Sequence, residues 1–352
     1  MKKLLLVTFP VDLGSKTFEK RFVDLFQSDI EIDFKVFRFA PSPRNPHPRS
    51  IFTLDYLSLF LARLQEAIEM GKALKSAYQE ERTVVFQGVS PALFGYLSSR
   101  NNQSYIITDW TRKLYESIWK SSGSPSWLTY IHSKVLNSQT AILGLTDAVV
   151  EQIVKDYVVP YSKVRKTKLP FCLDLKLFKP SPDREDNEIR ILFVGGDFIR
   201  KGGDILLQWF KENHQLGLKM TMMTGFPVEE HPKIAVAKNI EYGQPMHIEL
   251  FSRHDLFVLP TGCDAYPSVL GEAACAGLAI LTTRNALGAS EVIHNGENGY
   301  ICNSSELLLE KLTELINDKH LIETMKRNSR KLMEREFNYE SVLNNYLECI
   351  FK

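Results

Sequence analysis

Short apolar runs separated by longer amphipathic stretches recur along the chain. The first run, Leu4 to Phe9, is followed by a loop carrying Gly14 and an amphipathic stretch from Lys16 to Phe26. Further runs predict strands over 33–37, 83–86, 105–108, 140–145 and 164–169. A second series begins at Ile189, whose run ends in Gly195-Gly196, and predicts strands over 189–194, 218–223, 256–259 and 279–283. Short continuous apolar runs bounded by turn residues read as buried strands. Strands alternating with helical patterns imply parallel sheets covered on both faces.

The two series are separated by Lys179 to Glu188, a highly polar stretch whose only non-polar members are Pro180 and Pro182. This reads as a linker. The expected fold class is α/β, with two doubly wound Rossmann-like domains facing a central cleft. The expected boundaries are a first domain over 1–178, a linker over 179–189 and a second domain over 190–337. Ligands of open parallel sheets bind beyond the carboxyl ends of the strands. Functional residues are therefore expected just after strands.

Composition narrows the function. The 352 residues include 43 Lys and Arg against 42 Asp and Glu, a balance that argues against a dedicated nucleic-acid binder. No apolar run approaches the ~18 residues of a membrane-spanning helix. The apolar N-terminus is short for a signal peptide, meets Asp12 and Lys16 and lacks a small-residue cleavage site, so it reads as a strand. Five cysteines (172, 263, 275, 302 and 349) are widely spaced with no metal-ligand pattern. This predicts reduced thiols in a cytoplasmic protein and no metal site. The first half carries the excess of basic residues, including Lys163, Arg165, Lys166 and Lys168. Such a run suits a phosphorylated substrate or anionic lipid at the inner membrane surface, or simply a solvated strand edge.

Two segments carry candidate chemistry. In Val194 to Leu207 a strand ends, glycines turn the chain tightly, and a helix begins near Gly202 or Gly203. Amides at a helix start attract phosphate, and Arg200 and Lys201 add full charges. No Walker or GxGxxG pattern is present. In Leu259 to Gly277 an apolar strand enters a polar loop with Asp264, then a helix with Ser268 as expected N-cap and Glu272 one turn in. Glu272 is set among Ala273, Ala274, Ala276 and Gly277. A carboxylate buried there needs a partner or a ligand, although Glu272 could also merely complement the helix start.

Taken together, these segments resemble the C-terminal domain of the retaining, family-4 type, GT-B-fold glycosyltransferases. The likeness extends to Leu169 to Phe178, to Tyr242-Gly243-Gln244 with Glu249-Leu250, and to Glu291 to Gly299. It implies a nucleotide diphosphate sugar as donor, no other cofactor, and no metal. It also implies that the terminal helix over 338–352 crosses back to the first domain. By the resemblance, Arg200 and Lys201 hold the donor diphosphate and Asp264 faces the donor sugar. Glu272 then binds the nucleotide ribose, and Gln244 lies near the base. The backbone of Tyr266, Pro267, Ser268 and Val269, with Gly196 and Gly14, meets the sugar and phosphates.

This sequence departs from the pattern in four places. Asp264 replaces the usual Glu, Gly196 stands where many relatives have Arg, and Cys172 stands where the family has Gly. Gln87 stands where the first domain often supplies His. The acceptor is expected in the first domain, with Trp110 and Gln87 as candidates. An apolar stripe (Leu54, Leu57, Phe60, Leu61, Leu64, Ile68) and an aromatic–basic stretch (Trp110 to Trp127) suit an acceptor surface, peripheral membrane contact or ordinary core packing. Two other readings are a nucleotide-sugar epimerase of the same fold and a non-catalytic nucleotide-sugar-binding protein.

Overall fold

The computed structural model describes residues 1–9, 13–39, 54–119, 125–180, 188–213 and 217–352, without the side chains of 13, 54–60, 62 and 117–119. It divides into two compact units, Met1–Thr167 with Asn345–Lys352, and Lys168–Asn344.

The first unit alternates strands and helices: β1 (Lys2–Thr8), α1 (Leu13–Gln27), β2 (Ile32–Arg38), α2 (Leu54–Gln79), β3 (Thr83–Gln87), α3 (Val89–Ser99), β4 (Ser104–Thr108), α4 (Arg112–Trp119), α5 (Ser126–Ser138), β5 (Ala141–Gly144), α6 (Asp147–Tyr157) and β6 (Val164–Lys166). Its parallel sheet has the order β2-β1-β3-β4-β5-β6. Leu4, Leu6 and Val7 of β1 are fully buried, as an inner strand of a parallel sheet requires. The strand expected over 164–169 stops at Lys166.

The second unit contains α7 (Cys172–Leu177), β7 (Ile189–Val194), α8 (Gly203–Asn213), β8 (Leu218–Met223), β9 (Ile234–Ala237), α9 (Pro245–Ser252), β10 (Leu256–Leu259), α10 (Ser268–Cys275), β11 (Ala279–Thr283), β12 (Gly299–Cys302), α11 (Ser305–Leu315) and α12 (Lys319–Glu336). Its sheet, also parallel, has the order β12-β11-β10-β7-β8-β9. The edge strands β9 and β12 are not among the predicted strands. Each is only four residues long and mostly half-buried; β9, Ile234-Ala235-Val236-Ala237, is apolar throughout but too short to stand out, and β12 opens on a glycine.

The division falls at Thr167/Lys168, not at the expected boundary after Phe178. Side-chain packing explains it. The Phe171 ring lies against Gly271, and Phe178 packs on His247 and Phe251 at centroid distances of 5.4 and 5.1 Å. Arg330 donates to the carbonyls of Phe178 and Cys275 at 2.8 and 2.6 Å. The segment before the expected linker thus belongs to the second core, and 181–187 of that linker lie outside the described residues. The last helix, α13 (Tyr339–Phe351), ends in the first unit. There Tyr346 packs edge-on to Phe22 and Phe26, and Tyr105 Oη donates to the Ile350 carbonyl at 2.6 Å.

The basic run binds the protein itself. Lys163 donates to the carbonyls of Asn137 and Gln139, Arg165 to that of Cys349, and Lys168 to that of Glu336. Lys166 pairs with Asp147 at 2.6 Å. Of the apolar stripe on α2, Leu61, Leu64 and Ile68 are about half exposed, so they are not core. The side chains of Leu54, Leu57 and Phe60 lie outside the described residues. Among the described residues no helix is long and apolar enough to cross a membrane.

At the edge of the first sheet, the nearly buried Arg82 joins Asp33 at 2.5 Å and Glu80 at 2.7 Å, and Lys35 meets Glu80 at 2.8 Å. Hydrogen bonds from Lys35 and Arg82 hold the Glu80 carboxyl at about 2, against an ordinary 4.5. The Arg82 hydrogen bond likewise lowers Asp33. A carboxyl depressed in the folded state stabilises the fold above its unfolded pKa, and that contribution is lost as pH falls through the folded value. Stability is therefore expected to fall from pH 4.5 toward 2, and Glu80→Gln should flatten that decline in a pH series of urea unfolding curves. Equal slopes for both proteins would remove Glu80 from the account.

Candidate active site

The second sheet reverses its winding between β7 and β10. From β7 the chain proceeds through β8 to β9 on one side, then returns through β10, β11 and β12 on the other. Crevices at such reversals are where open sheets bind ligands. The two loops that leave the carboxyl ends of β7 and β10 are the segments with candidate chemistry.

Their approach is set by glycine. Gly202 has φ +74°, and a Cβ there would lie 2.2 Å from the Pro260 carbonyl oxygen. Only glycine meets both demands. The close approach lets the loops tie to each other. Gly262 N–H donates to the Arg200 carbonyl at 2.8 Å, Thr261 Oγ1 donates to the same oxygen at 3.3 Å, and Arg200 Nη1 donates to the Cys263 carbonyl at 2.7 Å.

Three candidate residues converge here. Lys201 Nζ lies 3.2 Å from Asp264 Oδ2, and Arg200 Nη1 lies 3.5 Å from the same oxygen. Arg200 Nε also pairs with Asp197 at 2.8 Å. Burial opposes the Arg200 charge, but the Asp197 hydrogen bond and the Asp264 field outweigh it and raise its pKa. Burial and the Asp264 charge push the Cys263 thiol up, which keeps it protonated. Asp264 is itself held in backbone pairing with Asn285 and Leu287.

Glu272 sits one helix on, on α10, with its side chain only 3 % exposed. The structure corrects the expected cap of that helix. Pro267 holds the N-cap position, and Ser268, the first helical residue, turns its Oγ to Glu272 Oε1 at 3.3 Å instead. A partner that the sequence did not single out is His247 on α9, whose Nε2 lies 3.5 Å from Glu272 Oε2. The isolation of Glu272 among small residues announced the need for a partner but not which residue meets it.

The remaining candidates are spread out. Tyr266 and Pro267 are buried, and Ser268 and Val269 are partly exposed. Gly196 is exposed, with open space where a Cβ would stand. Gln244 is exposed at the N-cap of α9, its amide oxygen accepting from Glu241 N–H. In the first unit, Gly14 is exposed at the start of α1. Gln87 is committed internally: it accepts from Thr8 Oγ1 and donates to the Ser15 carbonyl at 3.2 Å. Trp110, 47 % exposed, follows β4 and packs against Tyr115. Arg112 and Lys113 pair with Glu116, and Lys120 lies outside the described residues. Among the described residues no three His, Cys, Asp or Glu side chains are grouped to hold a metal ion.

Residues 176–332 match the family model described as glycosyl transferases group 1. The second unit belongs to that family. The chain is also similar to curated relatives. The capsular polysaccharide biosynthesis glycosyltransferase CapM of Staphylococcus aureus is 30 % identical over 128 residues, 34 % of this chain and 32 % of that protein. Spore coat protein SA of Bacillus subtilis is 26 % identical over 247 residues, 69 % of this chain and 59 % of that one. The chain thus spans about a third and about three fifths of those two relatives.

Solved structures extend the likeness beyond the group 1 segment. Sucrose-phosphate synthase of Thermosynechococcus elongatus superposes with TM-score 0.75 at 13 % identity, over 99 % of this chain and 98 % of that one. Anabaena HepE, solved with UDP and glucose, gives 0.73 at 13 % identity over the whole of both chains. The fold class is α/β of the GT-B kind.

The loop contact on which the candidate site rests is open to a direct test. Gly202→Ala should destabilise the protein by more than about 2 kcal/mol, combining an unfavourable φ with a backbone clash. Urea unfolding measures it, and a loss under about 0.5 kcal/mol would show that the loops need no such approach.

Proposed function

We propose that this protein is a retaining glycosyltransferase that moves a sugar from a nucleotide diphosphate sugar to an acceptor, with no resident metal. The observation that carries this reading is the meeting of Arg200 and Lys201 on Asp264 at the sheet reversal, with Glu272 buried one helix away. The group 1 match and the UDP and glucose bound by Anabaena HepE support it.

Charge gives the mechanism. As the glycosidic C–O bond breaks, negative charge grows on the departing diphosphate. Lys201 and Arg200 receive it, and a fixed donor of this kind contributes about 3 kcal/mol. The acceptor hydroxyl oxygen bonds to the anomeric carbon on the face the diphosphate leaves, giving its proton to a phosphate oxygen of the leaving group, so the anomeric configuration is retained. Glu272 accepts from the ribose hydroxyls, since an ionised carboxylate only accepts. Gln244 lies toward the base. Gly196 and the backbone of Tyr266 to Val269 border the phosphates and sugar. Without donor, Asp264 neutralises Lys201. With donor, the diphosphate takes over that partnership and Asp264 turns to sugar hydroxyls. The acceptor is assigned to the first unit, beside Trp110 and near Gly14. Gln87 stabilises that region through its bonds to Thr8 and Ser15.

Melting curves with UDP, GDP, ADP and their sugar conjugates, with and without EDTA, test the donor. Ligand at 100 times its dissociation constant should add about 2.7 kcal/mol, and the gain should survive EDTA. No shift with any of them would sink the donor site. Lys201→Ala should lower turnover about 10²-fold, and a loss under about threefold would deny Lys201 its role. Asp264→Asn, by removing a charge the diphosphate must approach, should tighten nucleoside diphosphate binding about threefold to tenfold. Weaker binding in that variant would contradict the exchange of partners at Lys201.

A further inference from the structure

The partner of Glu272 is built with more care than packing alone requires. His247 is 2 % exposed, and its ring is surrounded by the rings of Phe178, Tyr242 and Phe251 at 5.4, 5.7 and 5.1 Å. The aromatic cage leaves the imidazole little freedom to rotate. Gly243 N–H donates to Nδ1 at 3.4 Å. An imidazole nitrogen that accepts a hydrogen bond carries no proton, so in the neutral ring the proton sits on Nε2. That N–H faces Glu272 Oε2 at 3.5 Å. The other oxygen of the same carboxylate receives Ser268 Oγ at 3.3 Å.

One end of this chain is the segment Tyr242 to Gln244, and the other is the carboxylate. The Gly243 peptide fixes the tautomer, the tautomer fixes the donor, and the donor fixes the rotamer of Glu272. Tyr242 is anchored in turn, its Oη donating to the fully buried Asp174 at 3.0 Å.

We infer that His247 is a positioning residue, a neutral Nε2–H donor that holds the Glu272 carboxylate in the orientation that receives the two ribose hydroxyls and couples that carboxylate to the loop beneath the base. The inference rests on the reading of Glu272 as the ribose carboxylate. Its chemical signature is a ribose preference that depends on a residue with no role in touching ribose.

Calorimetric titration of the full chain provides the test. The nucleoside diphosphate among UDP, GDP and ADP that binds is compared with its 2′,3′-dideoxy counterpart. The wild type should prefer the ribonucleotide by about 10- to 100-fold, as expected when a charged acceptor loses its donors. His247→Leu fits the apolar cage and should reduce that preference to under about threefold, while dideoxynucleotide affinity stays within about twofold. His247→Gln, whose amide N–H reaches toward the place of Nε2, should restore most of the preference. If the leucine variant lost its cooperative melt, His247→Asn, too short to reach Glu272, would make the same contrast against His247→Gln.

A leucine variant that keeps the full preference, or loses affinity for both nucleotides equally, overturns the positioning role and leaves the ribose reading intact. A wild type that does not distinguish the two nucleotides overturns the ribose reading of Glu272 itself. Failure of all three diphosphates to bind removes the donor site, and this inference with it.

Discussion

The candidate site depends on one contact between two stretches of backbone, the seating of Gly202 on the Pro260 carbonyl. Any side chain at 202 would hold the loops after β7 and β10 apart. Because they touch, the Arg200 carbonyl can accept from Gly262 and Thr261, and the Arg200 guanidinium can reach over to Cys263. In each of these ties the acceptor is a backbone carbonyl. Across the seam the Asp264 carboxylate meets two cations, Lys201 at 3.2 Å and Arg200 at 3.5 Å, and it is this charge contact that the proposed donor would exchange. Fixed scaffold and exchangeable charge are what a site for an anionic leaving group requires.

The two units solve the same topological problem in opposite ways. In the first, the sheet reverses between β1 and β3, and the reversal is spanned by a side chain. Gln87 at the end of β3 binds Thr8 at the end of β1 and the Ser15 carbonyl in α1. That uses both ends of the amide. In the second, the reversal is closed by main chain seated on main chain, with Thr261 and Arg200 adding bonds to carbonyls, and the Lys201 ammonium is left out of those ties. This asymmetry matches the division of labour proposed above, in which charge transfer is confined to the second unit.

Much of this was legible in the sequence, for a definable reason. Inner strands of a parallel sheet are buried on both faces, so β1, β3, β4, β7, β10 and β11 stand out as apolar runs, whereas β8 shows as an alternation broken by Lys219 and Thr221. Edge strands can be short and half-exposed, and β9 and β12, at four residues each, were too brief to single out. Arg200, Lys201 and Asp264 could be paired from sequence because each follows a strand, and strand ends of one sheet converge. His247 could not, because its meeting with Glu272 depends on how α9 packs against α10, which no local pattern encodes. The boundary between units was misplaced for the same reason. Polarity marks where a chain is exposed, while the allegiance of Phe171 and Phe178 is decided by the partners they find far along the chain. At Ser268 the local rule was sound, but a buried carboxylate four residues on competed for the hydroxyl and won.

The path of α13 has a consequence for the order of synthesis. The first unit is discontinuous in the chain, and Tyr346 and Ile350 complete its packing against Phe22, Phe26 and Tyr105. Between Thr167 and Asn345 the ribosome must make the whole of the second unit. At about 5–20 residues per second this takes on the order of 10–35 s. For that time Phe22 and Phe26 on α1 lack the Tyr346 ring that packs on them, and the second unit can fold before the first is finished. A chain read from the amino end therefore matures in the reverse order, and its late-made residues govern how long its earliest ones stay exposed to chaperones and proteases.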